Sequence, residues 1–509
     1  MLLQFAAAVL SASPFLWSSA FAAQDLYFNT ADSPAFNHYL NDSSNWFTDE
    51  GRTQQFEGTL GPDYNGIVSG VTVIAVSGTD LNLNSLSITC ENGAKISLTL
   101  GSSITRAQDL TFDMNSGGIS GNMALYNSIK VGGNMTIDCS SIGEETVSTP
   151  EFSLTGQSTR AKMDIDGDFS VRFGSQSAEK LQMYTSTDIS IGGIMRMDNL
   201  WWQNSSKQHY HTLGGMSGNG DIVLYNGSIS MNLTNSTAQE TSLTFGMTAE
   251  NSTFDISMNG SAAGRQTIRF RAGTPEGTDG NINDVTVGSG RLDLGMHSNM
   301  KGARLSLSGT EAIFSATASD SGNIGTVTFN EGEWYAGKIA VDIEGELAYD
   351  KIVFNGRFDK TGSDRDMGFE FTFDEYAMRD FISAGGGEFI LEDVITYETG
   401  STMAGTVFDG NTGGIRWEAV FGDTSLSVSF TVPEPRNCGG RPRRNRTRAR
   451  GSPQKKINGT NRFKTIKKGG NPSEVAAFFT GGKAFPPAAK PSGIYQTRAT
   501  RQAGGFLCF

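Results

Sequence analysis

The chain has 509 residues, too many for one ordinary core, so several units or an elongated repeat are expected. Gly is frequent at 63 residues, Pro scarce at 13 and charge low at 18%, while Phe, Ile, Leu and Met recur at short intervals, which excludes a disordered chain and a helical one alike. The formal charge of −13 divides sharply: residues 436–509 hold 17 Lys/Arg and one acid (+16), and residues 1–435 hold 23 Lys/Arg and 52 Asp/Glu (−29), a body that repels nucleic acid and anionic membrane.

Residues 2–22, LLQFAAAVLSASPFLWSSAFA, are apolar or small and end in Ala20-Phe21-Ala22, the small-x-small pattern of a signal-peptidase site. A signal peptide is therefore expected over 1–22, and with it an exported protein. The first Lys or Arg is Arg52, so the usual positive start of such a signal is missing: the true start lies upstream, or the signal is atypical. A membrane anchor fits less well, because the run contains Ser, Pro and Gln.

Over 23–326 one kind of phrase recurs: LNLNSLSITC (81–90), DLTFDM (109–114), SIKVGGNMTIDC (128–139), KMDIDGDFSVRF (162–173) and DISIGGIMRMD (188–198). Each alternates apolar and polar residues, the period of a half-buried strand, and is punctuated by Gly, Asn or Asp-Gly turns. GGISGN at 117–122 is echoed by GGMSGN at 214–219. The expected architecture is all-β: an irregular right-handed β-solenoid, in which each coil buries its inward residues against its neighbours. Tandem β-sandwiches are the alternative, since turn signals also recur at their spacing.

Within this stretch Asp164, Asp166 and Asp168 place three carboxylates on one strand and turn, a candidate weak Ca²⁺ site. Ser175 stands where an EF-hand loop needs its last acid, so the site is not of that kind, and a solvated acidic face is the competing account. Trp201-Trp202 with His209-Tyr210-His211 is the densest aromatic patch, suited to stacking on sugars or to sharing a metal, though packing explains such patches more often. Cys90 and Cys139 fit one disulfide or two buried thiols. No catalytic residue is assigned, for GxSxG, HExxH and CxxC are all missing.

Residues 327–431 have a different texture, with longer runs and more aromatics: EWYAGKIAVDIEG (333–345), GEFILEDVI (387–395), GIRWEAVFGDTSLSVSF (414–430) and one helical piece over 374–382. YDKIVFNG (349–356), the Gly-flanked FILEDV and the closing LSVS strand together resemble the end of an autotransporter-type β-helix passenger. The resemblance implies a C-terminal β-rich capping region on a surface-exposed repeat protein, and no catalytic residue.

Val432-Pro433-Glu434-Pro435 follows, and this ending resembles the PEP-CTERM sorting signal. That family implies a transmembrane helix, a short basic stop and processing by a membrane exosortase. Here RNCGGRPRRNRTRARGSPQKK follows instead, which cannot span a membrane. A one-nucleotide frameshift at about Pro435 accounts for the departure. Read one base later, the codons of Gln454, Lys455 and Lys456 must encode Lys or Arg, and residues 436–452 can read as a small, apolar run. On this reading the basic tail 436–509, with Cys438 and Cys508, is accidental; the competing account is a disordered basic arm.

The sequence thus points to a non-enzymatic surface or extracellular-matrix protein that adheres to extracellular polysaccharide or host glycan and needs no cofactor. A polysaccharide lyase or glycoside hydrolase on a β-helix is the alternative, because acids are abundant. Sequencing the coding DNA around Pro435 tests the frameshift: the shifted frame is expected to give an apolar run and then three basic residues, and polar residues or an early stop there would refute it.

Overall fold

The structure, a computed structural model, describes residues 23–433 apart from a set of connecting segments, the longest being 141–150 and 271–280. The expected signal segment 1–22, Glu434 and Pro435 of the sorting motif, the tail 436–509 and residues 117–119 of the echoed GGISGN lie outside the described residues.

The protein is all-β, with one α-helix, Glu375–Ala384, and two short 3-10 turns among the described residues. Alternation in the sequence becomes alternation in burial. Met135–Cys139 buries Met135, Ile137 and Cys139, and Leu181–Ser186 buries Leu181, Met183 and Thr185. Strands then pair in parallel, one turn of chain on the next. In one ladder Leu86, Leu110, Met135, Phe169, Met195 and Met216 stand in register, so apolar side chains from six turns stack on one another, all of them buried. A second ladder runs through Lys95–Leu100, Ser120–Leu125, Glu151–Gly156 and Leu181–Ser186. A third runs through Lys162–Ile165, Asp188–Ile191, Gln208–Leu213, Ser228–Leu233 and Thr253–Asn259. From Met135 onward the chain visits first, second and third ladder in that order, turn after turn, as far as Glu250. Parallel pairing of this kind is foreign to tandem β-sandwiches, whose sheets are antiparallel.

Some expected single strands are two. The run 333–345 divides into Glu331–Trp334 on the third ladder and Gly337–Ile343 on the first. The corner is Gly337, at φ +92°, where a Cβ would meet the Ala312 carbonyl oxygen at 2.6 Å. The run 414–430 divides into Ile415–Phe421 and Ser425–Thr431, an antiparallel hairpin. The apolar phase shifts at both corners, from Trp334 to Ile339 and from Phe421 to Leu426, a break that marks the division of each run. The helix begins at Glu375 rather than Asp374, because Asp374 is its N-cap and accepts from the Ala377 amide at 2.8 Å.

At each end of the described body one ladder is covered. At one end Gln24–Phe28 pairs antiparallel with Trp46–Phe47, and the buried Trp46 donates its indole N–H to the Leu40 carbonyl at 2.8 Å. At the other a six-stranded sheet takes over, running Thr326–Phe329, Lys351–Phe354, Glu388–Thr396, Ser425–Thr431, Ile415–Phe421 and Val407–Thr412. The final rung of the third ladder, Phe358–Lys360, meets hydroxyls where another turn would otherwise stack. Ser401 Oγ accepts from the Phe358 amide at 3.0 Å and Thr402 Oγ1 from the Lys360 amide at 2.7 Å. Beneath them Phe358 stacks on Phe354 (4.5 Å between centroids) and on Trp334 (6.0 Å).

This plug predicts an outcome. Phe358→Ala is expected to lower stability by about 3–5 kcal/mol, a large core aromatic lost with no turn beyond it to refill the space. Leu347→Ala, at a side chain 93% exposed, is expected to change stability by less than about 0.5 kcal/mol. Urea denaturation of the two variants checks both.

Candidate functional site

The three acids of the candidate Ca²⁺ site each have a cation of their own. Asp164 pairs with Lys162 at 3.0 Å, Asp166 with Lys130 at 2.9 Å and Asp168 with Arg196 at 3.0 Å. Asp168 also belongs to a ladder of side chains at the corner where the chain enters the first ladder. Asp109 Oδ1 accepts from the Asn134 amide (2.7 Å), Asn134 Oδ1 from the Asp168 amide (2.8 Å), and Asp168 Oδ1 from the Ile194 amide (2.7 Å). Each side chain thus satisfies a corner N–H of the turn stacked on it, which is work that Asp and Asn do well. Among the described residues, no three His, Cys, Asp or Glu side chains gather as a group fit to hold a metal ion.

The aromatic and histidine patch divides between inside and outside. Trp202 is buried and donates its indole N–H to Thr185 Oγ1 at 2.9 Å, while its neighbour Trp201 lies half-buried on the outer face, edge-on to Tyr184 at 6.0 Å. His209 and His211 both point inward from Gln208–Leu213, their rings stacked at 6.3 Å, and Tyr210 between them is exposed. His211 Nδ1 accepts from the Ile189 amide at 3.2 Å, so the neutral ring carries its proton on Nε2. Burial, reinforced by neighbouring His209, drops its pKa from 6.5 to about 3.

Two charged groupings were not visible in the sequence. On the outer side of the first ladder the buried Asp293 lies between two guanidinium groups, bonded by Arg265 Nε and by Arg291 Nε (2.9 Å for the latter). Arg291 reaches on to Glu370 at 3.0 Å and to Asp342 at 4.0 Å. Nearby, Asp350 is almost completely buried and accepts from the Gly325 amide (2.9 Å), the Asp342 amide (3.1 Å) and Ser315 Oγ (3.1 Å). Burial raises its pKa from 3.8 to about 7, against the pull of those hydrogen bonds. Alternation alone puts Asp293 and Ser315 at outward positions; that outward positions are covered here is a tertiary fact with no local signal.

Of the other expected features, Cys139 is buried, while the Cys90 side chain lies outside what is described. In the sorting motif, Val432 and Pro433 follow directly on the last strand, Ser425–Thr431, with Val432 39% exposed. No helix among the described residues is long and apolar enough to cross a membrane. No protein-family model, curated protein or solved structure matches the chain.

The two buried titrating groups act on stability with opposite sign. His211 has a folded pKa below its unfolded one, so its contribution is full above pH 6.5 and is lost as pH falls toward 3. Asp350 has a folded pKa above its unfolded one, so its contribution is present below pH 3.8 and is lost as pH rises toward 7. Relative to the unmodified protein, His211→Asn is therefore expected to lose less stability between pH 6.5 and pH 4, and Asp350→Asn to lose less between pH 4 and pH 7. Denaturation midpoints across that range check both; parallel curves for all three proteins would refute the assignment.

Proposed function

We propose that this protein is an exported, non-enzymatic structural protein of the cell surface or extracellular matrix. Its body is a right-handed β-solenoid that presents a long polar surface to extracellular polysaccharide or host glycan. In its intact form it is sorted through the C-terminal signal at Val432-Pro433-Glu434-Pro435 by an exosortase-type enzyme. The observation that best supports this is the covering of a ladder at each end of the described body, by the Trp46–Phe47 strand and by the Phe358 plug with its Ser401 and Thr402 hydroxyls. Stacked repeats need such caps to remain single and soluble, because an open last rung is a template for further strands. A capped stack repeats similar outward positions from turn to turn, and many weak contacts then act together without a deep pocket.

Whole-cell proteolysis tests the reading. In cells carrying the gene with its intact frame, the body is expected to be cleaved by protease added outside, with residues 1–22 removed from the mature chain. Retention inside the cell with residues 1–22 still attached would overturn it.

A second reading, a polysaccharide lyase or glycoside hydrolase, draws on the meeting of Arg291 with Asp342 and Glu370. Against it, both oxygens of Asp293 are held by guanidinium groups and Asp350 is sealed from solvent, whereas glycoside cleavage uses two carboxyl groups flanking an accessible bond. Release of reducing ends or unsaturated products from pectin, alginate or mucin is expected to stay at background; sustained turnover would move the assignment to this second reading.

A further inference from the structure

The second ladder carries a surface that solubility and packing leave unexplained. Glu151, Gln182, Trp201 and Asp221 stand in one register column across four successive turns, all on the outer side. Tyr184 and Gln203 stand side by side in the next outward column. Some outward positions on this ladder are small and polar, as at Ser153 and Ser186, and Val223, beside Gln203, is buried; at Trp201 and Tyr184 the chain sets an indole and a phenol together. Their orientation is fixed. Trp201 and Tyr184 meet edge to face at 6.0 Å and 84°, and the Tyr184 hydroxyl donates to Gln182 Oε1 at 2.8 Å. That bond leaves the Gln182 amide N–H groups to serve as donors.

We propose that this patch is a glycan-binding platform for a neutral polysaccharide, a choice that gives a substrate class to the proposed surface function and rests on that reading for its biological setting. The chemistry selects the occupant. The C–H face of a pyranose ring packs on an indole, while amides and carboxylates pair with its hydroxyls. Of the six side chains named, Glu151 and Asp221 are acidic and none is basic, so a uronate or sulfated chain is repelled and a neutral one is not. Successive rungs are about 4.8 Å apart, comparable with the length of one sugar unit, so a chain lying along the column meets Gln182, Trp201 and Asp221 in turn. No bond is made or broken; the site binds.

The test uses the full chain in affinity electrophoresis through gels containing β-1,4-glucan, β-1,3-glucan, α-1,4-glucan, mannan or galactan, with alginate and polygalacturonate as acidic comparisons. Retardation by at least one neutral glycan and by neither acidic one is expected. Trp201→Ala is expected to weaken that binding roughly tenfold, the loss of one stacking contact with its ordered neighbours, while the urea midpoint stays within error. Tyr184→Phe, which frees Gln182, is expected to give a smaller loss. Retardation by no neutral glycan, binding confined to the acidic ones, or binding indifferent to Trp201→Ala would each overturn the proposal. So would a finding, by sedimentation, that Trp201→Ala changes only self-association. The surface function fails separately, through whole-cell proteolysis: a displayed protein that binds no neutral glycan leaves that function standing and removes this inference.

Discussion

Register between successive turns is the constraint on which the rest of the molecule depends. Each strand of a ladder hydrogen-bonds in parallel to the strand one turn away, so a residue's neighbours are fixed by its column and not by its distance along the chain. Leu86 meets Leu110, Leu110 meets Met135 and Met135 meets Phe169, although they lie 24, 25 and 34 positions apart in the chain. The ladder tolerates that irregularity because excess length leaves at the corners, while the strands stay aligned. A slip of one residue would send every inward side chain of that strand outward. Alternation is therefore held along most strands, with register shifts such as that between Met197 and Leu200, and loosely between them.

What fills the interior follows from the same constraint. Turns of unequal length leave gaps of unequal shape, and the side chain best able to adapt is methionine, unbranched and polarizable. Met135, Met163, Met183, Met195, Met197, Met216, Met231 and Met258 are all buried. Some buried polar atoms, among them His209 Nε2, His211 Nε2 and Asn235 Oδ1, have no hydrogen-bond partner among the described residues, while other buried polar groups find theirs in the turns above and below. Gln266 is the clearest case: its Oε1 accepts from the Met216 amide at 2.8 Å and Thr241 Oγ1 at 2.6 Å, and its Nε2 donates to the Met216 carbonyl at 3.0 Å. One fully buried side chain thus ties three turns together, and an apolar residue of the same size would leave the Met216 amide without that acceptor.

This division explains what the sequence could and could not disclose. Strands were legible because alternation has period two, and the corners at Gly132-Gly133, Asp166-Gly167 and Gly192-Gly193 were legible as turn signals. Which strand pairs with which was not, because turn lengths vary and no fixed repeat marks the register. The same gap hid the role of Asp168. In isolation it is the third carboxylate of a metal-like run, whereas the register places it between Asn134 and Ile194 as a corner acceptor. Trp201 and Trp202 are adjacent and identical in type, yet one faces solvent and the other the core; alternation requires that split, but only the pairing shows that Tyr184 and Gln182 share the outer face with Trp201.

Register also governs where charge can stand. A parallel in-register stack that repeated one acid would hold like charges about 4.8 Å apart along a column, a destabilising arrangement. Some columns on this molecule alternate instead: Asp284 stands beside Arg304 and Arg304 beside Glu331. In another, two acids do meet, Asp113 beside Asp138, and Arg172 follows them. Exposed pairs of opposite charge contribute little stability each, about 0–1 kcal/mol, so their value lies in removing repulsion rather than in adding attraction. With 23 basic residues against 52 acids over residues 1–435, cations are the scarce partner and cannot neutralise every rung. Where the acids Glu151 and Asp221 flank Gln182 and Trp201 in one column, uncharged side chains do the separating. An amide and an indole can separate two carboxylates without neutralising them, so the column keeps its hydrogen-bonding groups and its indole on the outer side without adding a cation.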